Sequence, residues 1–275
     1  MSVICIIQAR MGSSRLPGKV LEKIGETPML EKVVIRLRRA RTLDAVVVAT
    51  TDDPRDDQLV DFCRERGIAV SRGSVFDVLD RFHTVLDSYP EADIVVRVTA
   101  DCPFVDPEIV DQAVDALRAK GLDFVANRLP PPASRTYPVG LDVEVSTATA
   151  LRRAWLEALA PHQREHVMPY LYDTPGRFAV SVFQWAEDLQ QFRWTVDEPR
   201  DLEVVRLLDK LSGPEPFGWR RVLEVARAHP EIQELNITAR QKALSEVDDR
   251  WSETQAGLAS RGDVPDAPEE ELTGR

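Results

Sequence analysis

Between Gln8 and Lys19 the chain gathers the cations Arg10, Arg15 and Lys19 among the small residues Gly12, Ser13, Ser14 and Gly18. Small residues let a backbone approach an anion closely, and guanidinium and ammonium groups are charge-assisted donors to phosphate oxygens. The stretch therefore reads as a grip for a polyphosphate, and the same composition also suits a solvated surface loop. It is not a P-loop: Gly12 and Gly18 enclose five residues instead of four, and Lys19 is followed by Val20 instead of serine or threonine. The GxGxxG dinucleotide fingerprint is absent too.

Acids at the ends of apolar runs are the second signal. Asp101 follows the run Ile94 to Thr99 in RVTADCPFVDP, and Asp197 stands in WTVDEP. A carboxylate at a strand end opposite a cationic loop suits Mg²⁺, which favours one or two carboxylates plus substrate phosphates. Helix capping is the competing role. Asp106 before Pro107 fits it better than Asp101 does, whereas either Asp197 or Glu198 could cap a helix beginning at Pro199. In HQREH the order of residues is not HExxH, which argues against zinc. Glu165 and His166 are then either substrate contacts or an ordinary exposed helix face. Tyr137, Asp142 and Glu144, beside a proline cluster, suit a hydroxylated ligand or an exposed strand at a subunit contact.

These residues need a frame. The apolar runs Val3 to Ile7, Ala45 to Thr50, Ile68 to Ser71 and Ile94 to Thr99 alternate with helical patterns over Pro28 to Arg41, a segment ending at Gly67, a segment reaching Tyr89, and Asp106 to Lys120. This alternation predicts an α/β fold with a mostly parallel sheet covered on both faces, whose ligands bind beyond the carboxyl ends of the strands. That edge would collect the first loop, the segment Arg72, Gly73 and Ser74, and Asp101. Further on, Phe124 to Asn127 reads as a strand and LPPPASRTYP as an excursion. The alternating VGLDVEVST reads as an edge strand with Asp142 and Glu144 on one face. Helices over Thr147 to Leu159 and His162 to Tyr172, a strand over Phe178 to Trp185, and a second strand-then-acid unit ending at Asp197 complete the pattern.

At 275 residues the chain can bury a large core. Its net charge of −11 argues against nucleic acid or anionic membranes as partners, so the cationic loop acts in a local pocket. Cys5, Cys63 and Cys102 are scattered without metal-ligand spacing, and Arg10 follows closely on the first apolar run, which together predict a cytoplasmic protein with reduced thiols and no leader or membrane span. From Glu246 to Arg275 nine acids stand against three bases, so a domain over residues 1–243 followed by an acidic, disordered tail over 244–275 is expected.

The segments IIQARMGSSRLPGKVL, SRGSVFDVLDRF, VRVTADCPFVDP, YPVGLDVEV, REHVMPY and RWTVDEPRDLE together resemble the SpsF group of spore-coat polysaccharide cytidylyltransferases, similar to the enzymes that activate Kdo and acylneuraminic acids. The resemblance runs in order over about residues 3 to 240. It implies a Rossmann-like nucleotide-diphospho-sugar transferase fold of the glycosyltransferase A type, a three-layer sandwich that is often a homodimer. It also implies a Mg²⁺-dependent transfer of CMP from CTP to a sugar, sugar acid or related acceptor in polysaccharide or glycan biosynthesis. Carried over residue by residue, it gives Arg10, Gly12, Ser13, Arg15 and Lys19 to the triphosphate, with Arg10, Lys19 and Asp101 as the catalytic set. It gives Gln8, Ala9, Arg72, Gly73 and Ser74 to base and ribose, Asp101 and Asp197 to the metal, and Tyr137, Asp142, Glu144, Glu165 and His166 to the acceptor. Gln8 stands where the sugar-acid enzymes carry proline. A glycosyltransferase of the same fold would usually show a DxD at a central strand end, where this chain has only the Asp142, Val143, Glu144 triplet elsewhere. A non-catalytic nucleotide-binding protein is the remaining alternative, disfavoured by the presence of Lys19, Asp101 and Asp197.

Overall fold

The computed structural model describes residues 1–130 and 135–239. The expected tail over 244–275 and the middle of the proline cluster lie outside the described residues. In the first half, the strands are β1 Ser2–Gln8, the small hairpin β2 Lys23–Ile24 and β3 Thr27–Pro28, then β4 Ala45–Thr51, β5 Ala69–Gly73 and β6 Ala92–Thr99. Between them run the helices α1 Met29–Leu37, α2 Asp57–Glu65 and α3 Val78–Ser88. The second half continues with α4 Pro107–Lys120, β7 Phe124–Ala126, β8 Glu144–Thr147, α5 Ala148–Glu157, α6 Pro161–His166, α7 Pro169–Tyr172, β9 Val180–Val182, α8 Pro199–Ser212, α9 Trp219–Ala228 and α10 Pro230–Glu234.

One seven-stranded sheet runs in the order β5-β4-β1-β6-β8-β7-β9. The first four strands are mutually parallel, β8 is antiparallel to both neighbours, and β9 pairs parallel with β7. Because successive side chains of a strand point to opposite faces, the apolar run of β1 serves two cores. Val3, Cys5 and Ile7 join a cluster with α1, α2, α4, α8 and α9, whereas Ile4 and Ile6 join one with α3, α5 and α7. This is why the central strands read as unbroken apolar runs. It also makes the molecule the three-layer α/β sandwich expected from the alternation of elements. Among the described residues no helix is long and apolar enough to cross a membrane.

Local chemistry sets the helix ends. Asp106 caps α4 as expected, accepting from the Glu108 amide at 2.9 Å, with Pro107 in the first turn. Asp77 caps α3 and Thr147 caps α5 in the same way.

Three expectations are corrected. The VGLDVEVST segment is no edge strand, because β8 lies inside the sheet between β6 and β7. The helix expected over His162 to Tyr172 is broken into α6 and α7 at Val167, a fully buried residue at φ 72° and ψ −58°. There the Met168 amide donates to the His166 carbonyl at 2.9 Å, a γ-turn of the hand that strains a β-branched residue. Finally, no strand delivers Asp197; the chain before it forms only an isolated bridge between Val139 and Arg193.

Candidate active site

The parallel strands β1, β4, β5 and β6 all end at one edge, at Gln8, Thr51, Gly73 and Thr99. The loop after β1 is held there by a buried acid. Asp56 accepts the Met11 amide at 2.7 Å and the Thr50 hydroxyl at 2.9 Å, and also takes the amide and hydroxyl of Thr51. The Met11 carbonyl in turn receives the amides of Ser13 and Gly18, both at 2.9 Å. Gly18 sits at φ 73°, a left-handed conformation that costs glycine little, and turns the chain into a 3₁₀ helix that begins with Lys19.

Lys19 is only 8% exposed. Its ammonium donates to Asp101 Oδ2 at 2.7 Å, to Asp197 Oδ1 at 3.0 Å and to the Val196 carbonyl at 2.7 Å. Burial pulls the Lys19 ammonium down, but Asp101 and Asp197 outweigh it and hold its pKa above the usual value. The reciprocal effect acts on Asp101: burial pulls it up, and the charge and hydrogen bond of Lys19, with the Thr99 hydroxyl, hold it below the usual carboxylate range. Each partner thus holds the other in its charged form, Lys19 as the ammonium and Asp101 as the carboxylate.

Asp197 reaches this point on an extended segment stitched to the backbone of Asp101. The Val196 amide donates to the Asp101 carbonyl at 2.8 Å, and the Thr195 hydroxyl to the same oxygen at 3.2 Å. Asp201, fully buried, then fixes the turn by accepting the amides of Asp197 and Glu198 at 2.9 and 3.1 Å. It also accepts Arg193 Nε at 3.0 Å and Asn236 Nδ2 at 2.9 Å. Gly140 lies beneath, at φ 103°, where a Cβ would stand 2.6 Å from the Thr195 nitrogen.

Two clefts meet at the acids. The larger, about 270 Å³, is lined by Gln8, Ala9, Arg10, Ser13, Arg15 and Lys19, and on its far side by Glu165 and His166. The smaller, about 150 Å³, is lined by Arg97, Arg128, Gly140, Asp142, Glu144 and Thr195. Thr99, Asp101 and Asp197 belong to both. In the smaller cleft Glu144 pairs with Arg97, its cross-strand partner in register, and Arg97 also donates to Gln8 Oε1 at 2.9 Å. Asp142 is gripped by Arg135 and lies 3.3 Å from Arg128 Nε. Burial raises the Asp142 carboxyl, and the Arg135 and Arg128 guanidiniums more than reverse this, holding it below the ordinary range.

The structure thus brings Gln8, Ala9, Arg10, Ser13, Arg15, Lys19, Asp101 and Asp197 together, as the sequence led us to expect, and puts Asp142 and Glu144 beside them. Glu165 and His166 sit with the loop cations instead of with Asp142 and Glu144. Gly12 faces a separate small hollow with Arg10, Arg55 and Asp56. Tyr137 lines neither cleft: it is buried in an aromatic cluster with Phe183, Trp185 and Trp219. Arg72, Gly73 and Ser74 are also outside both. Arg72 donates to the carbonyls of Thr51 and Asp53 and to Asp57, Ser74 accepts the Asp77 amide, and a Cβ on Gly73 would meet Arg81 Cγ at 2.9 Å. These three residues brace the rim.

Several residues escaped the sequence reading. Arg97 had a signal, a charge inside the apolar run IVVRVT, and Asp201 had one in its spacing after Asp197. Arg81 had none. It is 2% exposed and faces a hollow shared with Gln8, Arg10, Val75, Phe76 and Glu165, and among the described residues no group accepts from its Nε. Burial, and secondarily the Arg10 charge, lower its pKa to about 10.

As a metal site the donor set is sparse. Among the described residues no group of three or more His, Cys, Asp or Glu side chains is arranged to hold an ion. Asp101 and Asp197 alone, hard oxygen donors facing a cationic cleft, fit a Mg²⁺-like ion that takes two carboxylates and completes its shell from phosphate and water.

Comparison with known proteins bears on this geometry. A family model described as cytidylyltransferase matches residues 4–242. An uncharacterized protein of Methanocaldococcus jannaschii is 36% identical over 90% of this chain and 100% of its own. The spore coat polysaccharide biosynthesis protein SpsF of Bacillus subtilis is 35% identical over 78% of this chain and 89% of its own. Among solved structures, a cytidylyltransferase from Leptospira borgpetersenii superimposes with a TM-score of 0.79 at 31% identity, covering 88% of this chain and 99% of that one.

Proposed function

Because the chain belongs to the cytidylyltransferase family, we propose that it transfers the CMP unit of CTP to an oxygen of a sugar, sugar acid or related acceptor, releasing pyrophosphate. The observation that carries this is the meeting of two clefts at Asp101 and Asp197. Phosphoryl transfer needs the attacking and leaving oxygens on opposite sides of phosphorus. A triphosphate in the larger cleft and an acceptor in the smaller bring the α-phosphorus to their junction.

In this reading Arg10, Arg15 and Lys19 take the triphosphate and neutralise the charge that grows on the departing pyrophosphate. The base lies toward the hollow of Gln8, Phe76 and Arg81, where among the described residues nothing accepts from the buried Arg81 Nε. Thr99 orients Asp101 through a 2.6 Å hydrogen bond. Asp142 and Glu144, fixed by Arg135, Arg128 and Arg97, accept hydrogen bonds from acceptor hydroxyls. Asp101 and Asp197 hold a divalent ion, taken as Mg²⁺, whose contribution is Lewis-acid stabilisation of charge on the phosphoryl oxygens. The acceptor oxygen, its hydroxyl proton passing to water, forms its bond to the α-phosphorus as the bond to the α,β-bridging oxygen of the departing pyrophosphate breaks, so the enzyme's work is alignment and electrostatics. The name of the Bacillus relative supports a role in polysaccharide or glycan biosynthesis.

The test is a pyrophosphate-release screen of the four nucleoside triphosphates with Mg²⁺ against sugars, sugar acids and phosphorylated polyols. CTP is expected to yield pyrophosphate with one acceptor class. Consumption of sugar nucleotides with no pyrophosphate from any triphosphate would replace this reading by a glycosyltransferase.

A further inference from the structure

The Lys19 ammonium occupies the space between the two carboxylates that the proposed function gives to a metal ion. An ammonium has three N–H donors. All are used here, on Asp101 at 2.7 Å, Asp197 at 3.0 Å and the Val196 carbonyl at 2.7 Å. The remaining carboxylate oxygens are also engaged: Asp101 Oδ1 accepts the Thr99 hydroxyl at 2.6 Å, and Asp197 Oδ2 accepts Arg193 at 2.7 Å. Arg15 stands 3.0 Å from Asp197 Oδ1 as well. A Mg²⁺ ion lies about 2.0–2.1 Å from its ligand oxygens. An ion shared by Asp101 and Asp197 therefore needs the volume that the ammonium fills, and the two cations repel at that range.

We propose that Lys19 is a resident counter-ion that closes the Asp101–Asp197 pair to divalent cations until the phosphates of a nucleotide draw the ammonium away, so that metal and nucleotide enter this site together. The inference rests on the reading of the larger cleft as a nucleotide site. Of the two most deeply buried cations on the pair, Lys19 and Arg193, Lys19 is the freer to move. Arg193 is tied to buried Asp201 by a bond of 3.0 Å, whereas Lys19 carries its charge on a flexible four-carbon stem at the mouth of the phosphate loop. A triphosphate offers that ammonium a competing anion a short swing away. By linkage, nucleotide then raises metal affinity and metal raises nucleotide affinity by the same factor.

The experiment uses the full chain without nucleotide and Mn²⁺ as the probe, with free Mn²⁺ read by electron paramagnetic resonance. Wild type is expected to bind Mn²⁺ weakly, and Lys19→Met about 10- to 100-fold more tightly, the usual size of a coupling between linked ligands. Adding Asp101→Asn to Lys19→Met is expected to abolish the gain, which fixes the ion at the carboxylates. Thermal melts establish that the variants fold, and Lys19→Gln carries the comparison if Lys19→Met does not. Equal Mn²⁺ affinity in wild type and the lysine variants, weaker binding in those variants, or tight binding by nucleotide-free wild type would each overturn the proposal. The comparison contains no nucleotide. Its failure therefore leaves the cytidylyltransferase reading standing, and failure of the triphosphate screen leaves the lysine result standing.

Discussion

At Lys19 and Asp101 one contact serves two purposes. Their 2.7 Å bond holds the loop after β1 against the end of β6, and it sets the charge on both groups. Loss of a donor that acts mainly in the transition state costs about 3–4 kcal/mol, a few hundredfold in rate. Lys19→Ala and Asp101→Ala should each lower kcat by that order while circular dichroism shows the fold intact, and near-normal turnover in folded Asp101→Ala would remove that residue from the chemistry. Gly140 makes a different kind of prediction. A methyl group there meets the backbone of Trp194 and Thr195 at 2.8 and 2.6 Å, and alanine is strained at φ 103°. Combining overpacking with backbone strain, Gly140→Ala should lose about 2–5 kcal/mol in urea unfolding. It should also lose activity, because the displaced segment carries Asp197.

Elements explain which parts of the site could be read in advance. The loop after β1 was legible because its cations fall within ten residues and follow an apolar run, and the place of Asp101 was legible because β6 ends where its pattern ends. The position of β8 was not. Strand order depends on pairing across the chain, and the antiparallel insertion between β6 and β7 leaves no mark on local alternation. Asp197 was found for the wrong reason: its segment copies the look of a strand but gets its position from hydrogen bonds to Asp101 and Asp201. Tyr137 misled because a tyrosine beside prolines suits a ligand contact and a buried aromatic cluster equally well. The segment ahead of β8 also makes the site sensitive to acid. Asp142 has a folded pKa below its unfolded value, so the stability it contributes is present above an unfolded pKa of about 3.9 and is lost as pH falls through the lower folded value. Asp142→Asn should therefore be less stable than wild type at pH 7, with a shallower further loss below pH 4 in acid titrations followed by fluorescence.

The whole molecule is a sheet with the cationic loop near one end of the sequence and the support of Asp197 near the other. Asn236, just beyond α10, donates to Asp201 and to the Arg193 carbonyl, the two residues that hold Asp197. A chain ending at residue 243 should therefore keep its melting temperature and its pyrophosphate release, whereas one ending at residue 234 should lose activity disproportionately to any loss of helix content. The Asn236 contact also sets a clock on synthesis. Chains leave the ribosome amino end first, at about 5–20 residues per second. The cationic loop is thus exposed early, but the brace behind Asp197 closes only when nearly all of the sheet and its helices have been made. A prematurely terminated product can carry the cationic loop, yet it lacks the assembled pair of Asp101 and Asp197 that the proposed transfer requires.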